Sequence, residues 1–274
     1  MMKTILITGA STGIGKATAK HFSANGWNVI ATMRTPEKEQ ELTLLDNVLV
    51  TKLDVRDEQT IKNAITEGLQ KFGKIDLVVN NAGYGQYGIF EAATPEQIRE
   101  QFETNVFGVM NVMRAIVPYY RSQNEGMIIN ISSAGGRIAF PLISTYLSSK
   151  FALEGFSESV TYELASQNII LKLVEPGGVD TPFHITSGEK VAVNPELTSY
   201  DEFSNNVNES FAKMIEGITS AHAVAEVVFE AATDGTNTLR YQSGEDSKGW
   251  IKARTSMADG EYMNHMKNNV LRLK

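Results

Sequence analysis

Tyr146 and Lys150 stand four residues apart in Tyr146-Leu147-Ser148-Ser149-Lys150. On a helix that spacing puts a phenol and an ammonium on one face. A phenol ordinarily titrates near about 10 and is a weak acid–base catalyst at neutral pH. A neighbouring cation favours the phenolate, so the pair suits proton transfer at an oxygen while hydride adds to or leaves carbon. Taken alone, the pair also fits a solvated helix surface. Thirteen positions before Tyr146, Ser133 ends an apolar run in Asn130-Ile131-Ser132-Ser133. Its hydroxyl could bond a substrate oxygen. Ser132 competes for that role but is expected to bond the surrounding backbone instead.

A second feature lies near the N-terminus, in Thr8-Gly9-Ala10-Ser11-Thr12-Gly13-Ile14-Gly15. Glycines between a strand and a helix let the backbone approach a pyrophosphate, which then sits at the positive helix end. A glycine-rich turn without a ligand is the plainer alternative. Three further segments follow: Asn80-Asn81-Ala82-Gly83, Thr104-Asn105-Val106-Phe107-Gly108, and Pro176-Gly177-Gly178-Val179-Asp180-Thr181.

The elements that must position these residues alternate. Short β-rich runs fall near 4–8, 28–32, 48–53, 77–80, 126–131 and 169–174, with amphipathic stretches at 13–25, 58–72, 95–121 and 144–167. Such alternation predicts an α/β fold, a single-domain Rossmann-type doubly wound parallel sheet with helices on both faces. Ile128-Ile129-Asn130-Ile131 reads as a strand covered on both sides. After Pro182 the pattern loosens to about residue 208. A helix at 221–233 and a strand at 239–242 follow. No linker divides the chain, so 1–274 reads as one dinucleotide-binding domain with a substrate lid over about 183–220.

These motifs, in this order over about residues 4–182, resemble the short-chain dehydrogenase/reductase family. The glycine turn has that family's T-G-x-x-x-G-x-G spacing in place of G-x-G-x-x-G. The resemblance implies a catalytic tetrad of Asn105, Ser133, Tyr146 and Lys150, with Asn105 holding a water of a proton relay. Lys150 would hold the cofactor ribose and depress the Tyr146 pKa. It implies cofactor contacts from Gly9, Ser11, Thr12, Gly13, Ile14, Gly15, Asn81, Ala82, Gly83, Pro176, Gly177, Val179 and Thr181. Asp54 and Val55 match the family's adenine-contacting pair, although Asp54 could equally cap the following helix. The helices bearing Asn105 and Tyr146 imply a homodimer or homotetramer by analogy.

Cofactor choice turns on the end of the second strand, Ile30-Ala31-Thr32-Met33-Arg34. An acid there binds the ribose 2′-hydroxyl of NAD, but Met33 takes its place. Arg34 can bind a 2′-phosphate, unless it is merely a solvated arginine. NADP(H) is therefore the expected cofactor, with NAD(H) possible and no metal. Thr12 stands where some NADP-specific relatives carry a second basic residue.

Ile138, Phe140, Leu142, Phe183, Tyr84 and Tyr87 are expected to wall a mostly apolar pocket for a lipophilic ketone, aldehyde or alcohol. His184 is left out of the site, and Gly244–Trp250 has no legible role. The net charge of −7 argues against nucleic acid, and no apolar run reaches membrane-spanning length. The absence of cysteine removes thiolate chemistry. The N-terminus reads as a strand rather than a secretory signal, so a cytoplasmic location is expected. Rival readings are a catalytically silent NADP-binding sensor on the same fold, a nucleotide-sugar epimerase or dehydratase, and a scaffold. The complete tetrad, the turn spacing and the lack of a longer C-terminal domain speak against them.

Overall fold

The computed structural model describes residues 2–188, 190–214 and 218–271, with the side chains of 184–186 and 269 outside that description. Among the described residues, nine strands run in chain order: β1 (Thr4–Ile7), β2 (Asn28–Met33), β3 (Val48–Lys52), β4 (Leu77–Asn80), β5 (Gly126–Ile131), β6 (Ile169–Pro176), β7 (Val179–Asp180), β8 (Thr219–Ser220) and β9 (Arg240–Ser243). The helices are α1 (Gly13–Ala24), α2 (Glu58–Phe72), α3 (Pro95–Phe102), α4 (Gly108–Gln123), α5 (Ser144–Ala165), α6 (Phe183–Gly188), α7 (Asp201–Met214), α8 (Ala221–Thr233), α9 (Glu245–Ser256) and α10 (Asp259–His265).

Seven strands form one parallel sheet in the order β3-β2-β1-β4-β5-β6-β9. The chain winds outward from β1 to β3, then returns to place β4 on the other side of β1. That reversal opens a crevice at the carboxyl ends of β1 and β4, where open α/β sheets bind ligands. Alternate side chains divide between two cores. Ile5, Ile7, Val29, Val79 and Ile129 pack with Phe22 of α1 and Val228 of α8. Leu6, Ile30, Val78 and Ile128 pack on the other face with Ile61 of α2, Ile116 of α4 and Leu153 of α5. Each such side chain, fully buried, contributes about 1.5–3 kcal/mol, so the strand ends bearing the site are rigidly held.

Asp57 caps α2 by accepting from the backbone N–H groups of Gln59 and Thr60, and Gly73 closes it with φ of 79°. Asp54 therefore does not cap this helix. Its Oδ1 accepts from the Arg56 N–H at 3.0 Å.

The single helix expected over 95–121 is instead two helices joined by a π-helical turn, Glu103–Phe107. Thr94 and Gln97 start α3 with a capping box. Asn105, inside the turn, binds the backbone of Tyr84 on both sides: Nδ2 donates to its carbonyl at 3.0 Å and Oδ1 accepts from its N–H at 3.2 Å. These bonds tie the helix to the segment after β4 at the point where the regular pattern breaks.

The stretch after Pro182 is also more ordered than its composition suggests. It holds α6 and the 14-residue α7, and β7 pairs with β8 beyond it. No helix among the described residues is long and apolar enough to cross a membrane.

Candidate active site

A cavity of about 670 Å³ runs along the carboxyl ends of the central strands. At one end is the turn between β1 and α1. Gly9 and Gly13 adopt φ of +68° and +54°, which a side chain would strain. A Cβ on Gly9 would meet Ala82 Cα at 2.9 Å, and one on Gly13 would meet Thr181 Cβ at 3.3 Å. The turn thus leaves backbone, rather than side chain, facing the cavity. Ser11, Thr12 and Ile14 line it with Gly9 and Gly13, whereas Gly15 lies beneath the turn against Gly9 and Asn81. Asn81 locks the turn by donating Nδ2 to the carbonyls of Thr8 and Gly9 at 2.9 and 3.0 Å. Ala82 and Gly83 complete that wall, and Pro176, Gly177, Val179 and Thr181 face it from the end of β6.

The far rim of this end holds Met33, Arg34, Asp54, Val55 and Arg56. Arg56 pairs with Asp54, at 3.2 Å between Nη2 and Oδ2, while Arg34 is exposed. Burial raises the Asp54 pKa, but the bonds from Arg56 outweigh it, with Arg34 adding a smaller pull, so the carboxyl sits below its ordinary range. The donor set suits a dinucleotide: a backbone-lined turn at a helix N-terminus for phosphates, and an exposed guanidinium where a carboxylate would repel a 2′-phosphate.

At the other end, α5 presents Tyr146 and Lys150 to the cavity on one face, beside Ser133 at the end of β5. Ser133 Oγ accepts from the Gly135 N–H at 3.0 Å and reaches the Pro176 carbonyl at 3.4 Å. Lys150 is buried and donates Nζ to the Ile131 carbonyl at 2.8 Å. Its Nζ stands 5.9 Å from the centre of the Tyr146 ring.

Burial pushes the Tyr146 phenol well above 10, against a smaller opposing effect of its hydrogen bond with Ser133. Burial also pulls Lys150 down to about 8, opposed by the charge of Glu154. The expected depression of the tyrosine by the lysine is not what dominates here. Both groups lose hydration, and the ammonium is turned to a backbone carbonyl.

Ser132 also departs from expectation, because its buried hydroxyl finds no hydrogen-bond partner among the described residues. Asn105 is buried outside the cavity lining, donating Nδ2 to Ser149 Oγ at 3.2 Å, and its neighbour Thr104 faces the cavity.

Of the expected pocket walls, Phe140, Phe183, Tyr84 and Tyr87 line the cavity. Ile138 does not. It is buried with Ile251, Tyr262 and Met266 from the C-terminal helices. Leu142 does not either, and faces a shallow hollow with Phe90, Tyr200 and Phe203. The His184 side chain lies outside the described residues.

Further walls come from parts of the chain without motifs: Phe211 and Met214 of α7, Ile218, Asp246 and Trp250 of α9, and the charged pair Glu100 and Lys190. Phe140 stands edge-on to both Trp250 and Phe211, with centroids 5.0 and 5.9 Å apart. Asp246 Oδ2 accepts from the Gly178 N–H at 2.7 Å, fastening the tail to the loop after β6. Only the apolar periodicity of such helices could have suggested them, and it does not say which cavity they face.

The family model described as short chain dehydrogenase matches residues 3–192. An uncharacterized oxidoreductase of Schizosaccharomyces pombe is 39% identical over 231 residues, covering 84% of this chain and 96% of that protein. The crystal structure of a short-chain dehydrogenase from Streptomyces avermitilis superposes with a TM-score of 0.80 at 31% identity, covering 97% of each chain. A structure of ElxO with NADP bound matches with a TM-score of 0.73 at 28% identity, covering 88% of this chain and 98% of that one.

Proposed function

This chain belongs to the short-chain dehydrogenases, oxidoreductases of CH–OH groups that use NAD(P), and from that premise we propose that it interconverts a lipophilic ketone or aldehyde with its alcohol, preferring NADP(H). The observation that carries the reading is the convergence of Ser133, Tyr146 and Lys150 on one cavity shared with the glycine turn. The dinucleotide, when bound, supplies or accepts the hydride.

The chain's own residues do the rest. Ser133 and Tyr146 hydrogen-bond the substrate oxygen, and Tyr146 gives it a proton in reduction and takes one in oxidation. Lys150 binds the ribose and, as an ammonium beside the phenol, favours the phenolate once its own hydration has been lost. Asn105 anchors the segment after β4 through Tyr84 and holds the relay water of the resemblance. Gly9, Ser11, Thr12, Gly13 and Ile14 take the pyrophosphate at the start of α1, while Gly15 keeps the turn tight. Asn81, Ala82 and Gly83 border the ribose, Asp54 and Val55 the adenine, and Arg34 the 2′-phosphate. Pro176, Gly177, Val179 and Thr181 flank the nicotinamide.

Phe140, Phe183, Phe211, Met214 and Trp250 make the substrate end apolar, which favours an uncharged carbonyl compound over a sugar. The segment 183–220 acts as its lid. The exposed aromatic side chains of Phe107, just before α4, and of Phe151 and Tyr162 on α5 support a homodimer or homotetramer.

The test has two stages. NADPH and NADH are titrated by fluorescence into the protein and its Arg34→Ala variant. A carbonyl panel is then screened with the better cofactor. NADPH should bind more tightly, and its advantage should fall by roughly tenfold or more in the variant, the size expected for losing a charge-assisted contact of about 1.5–3 kcal/mol. Tyr146→Phe should abolish turnover and leave NADPH affinity nearly intact. Equal NADH binding would overturn the cofactor choice, and an active Tyr146→Phe would overturn the mechanism.

A further inference from the structure

One turn beyond Lys150, α5 carries Glu154, whose side chain is 5% exposed. Glu175, on β6, is fully buried beside it. Both meet the guanidinium of Arg240 on β9. Its Nε lies 2.9 Å from Glu154 Oε2 and 3.4 Å from Glu175 Oε1. Arg137, from the segment after β5, reaches Glu175 Oε1 at 3.2 Å. Arg240 also pairs with the exposed Glu158 of α5. Lys150 also interacts with Glu154 by charge. Lys172, the lysine of β6, serves Asp234 instead.

Three carboxylates thus face two guanidiniums, with Arg240 Nε donating to Glu154 and Arg137 Nη1 donating to Glu175. Three buried oxygens here have no hydrogen-bond partner among the described residues: Glu154 Oε1, Glu175 Oε2 and Ser132 Oγ. Gly136 keeps the cluster tight. A Cβ there would come within 2.7 Å of Glu154 Cγ and 2.8 Å of Ser132 Oγ. An ionised carboxylate only accepts hydrogen bonds, so two of them side by side leave oxygens without a donor. One proton on the pair supplies that donor and also removes the like-charge repulsion.

We propose that Glu175 keeps a proton beside the Glu154 carboxylate, and that this buried pair is a positioning element which sets the charge behind Lys150. The pair reaches the reacting groups through the chain from two sides. Glu154 shares α5 with Tyr146 and Lys150. Glu175 precedes Pro176, whose carbonyl faces Ser133 Oγ. Burial, and next the charge of Glu154, raise Glu175 to about 6, in keeping with a retained proton. Because Glu154 holds the Lys150 pKa up against burial, its removal should let Lys150 lose its proton at lower pH.

The activity arm of the test rests on the proton-transfer role of Tyr146 and Lys150 argued above, whereas its spectroscopic arm does not. The infrared spectrum of the protein without cofactor or substrate is followed against pH for the wild type, Glu154→Gln and Glu175→Gln. The wild type should show a protonated-carboxyl stretch persisting above about pH 5, beyond the usual carboxylic range. That band should vanish in Glu175→Gln and titrate at lower pH in Glu154→Gln.

The alkaline limb of the pH profile for carbonyl reduction should move down by about one pH unit in Glu154→Gln, the effect of one nearby charge. A merely structural role would lower the melting temperature or the plateau rate without moving that limb. Should Glu175→Gln not fold, the wild-type band and the Glu154→Gln profile decide. Absence of the band in the wild type, or an unmoved limb, overturns the proposal. A band without any carbonyl turnover would leave the proton on Glu175 standing and defeat the proposed function instead.

Discussion

Lys150 illustrates how a side chain proposed for proton transfer acts against the fold that holds it. Its ammonium is buried with one backbone carbonyl as partner, and burial brings its pKa from 10.5 down to about 8. The unfolded chain keeps the ordinary value, so between about pH 8 and 10.5 the unfolded state binds more protons than the native one. Stability from this group must therefore rise with pH across that window and be lowest below it. Lys150→Met keeps the buried stem and deletes the charge. Its melting temperature should exceed that of the wild type near about pH 7, and the gap should narrow toward about pH 10 as the wild-type lysine neutralises. Scanning calorimetry of both proteins at the two pH values checks the sign, and a gap that widens with pH would refute the assignment. The residue types and their spacing were legible in the sequence, because a Tyr–Lys pair one turn apart is a local feature. The balance of charges was not. Glu154 and Glu175 come from different elements and meet only once α5 has docked on β6.

At the scale of elements, the glycine turn shows what the strand-to-helix transition requires. A Cβ on Gly15 would fall against the Gly9 carbonyl oxygen and Asn81 Nδ2, two groups that already bond one another. Gly15→Ala should cost about 1–3 kcal/mol by overpacking. It should also weaken NADPH binding by roughly tenfold, since the turn cannot widen without moving Gly9 and Gly13. Gly249 on α9 is the internal control. A Cβ there meets nothing within 4 Å, and alanine should stabilise the helix by about 0.5–1 kcal/mol. Chemical denaturation and fluorescence titration of both variants measure the contrast; equal effects would mean the turn is not the cofactor cradle. The strands were read well because β1, β4 and β5 are covered on both faces and so lack alternation. The helix at 95–121 was read as continuous because its break comes from Asn105 bonding to the distant Tyr84 backbone. Ile138 and Leu142 were expected in the pocket because their loop is apolar. The tail covers Ile138 instead, and Leu142, at φ of 63°, is turned to the other side of the wall.

For the whole molecule, the sheet buries its apolar faces under α1 and α8 on one side and α2, α4 and α5 on the other, yet that second layer is not polar throughout. Phe107, just before α4, and Phe151 and Tyr162 of α5 remain 47%, 47% and 74% exposed. Large aromatic side chains on neighbouring helices are the usual anchors of an interface, and a stable one needs roughly 800 Å² from each partner. Phe151 follows Lys150 directly, so a second copy seated there would also stiffen the helix that bears Tyr146 and Lys150. Sedimentation at micromolar concentration should find a dimer or tetramer. Tyr162→Asp, the most exposed of the three and three turns away from Lys150, should shift the population toward monomer without changing the core. If assembly steadies α5, the dissociated variant should keep its NADPH site but lose turnover and melting temperature together, both recovering at high protein concentration. A wild type that sediments as a monomer would detach catalysis from assembly, leaving these aromatics without a role in positioning the site.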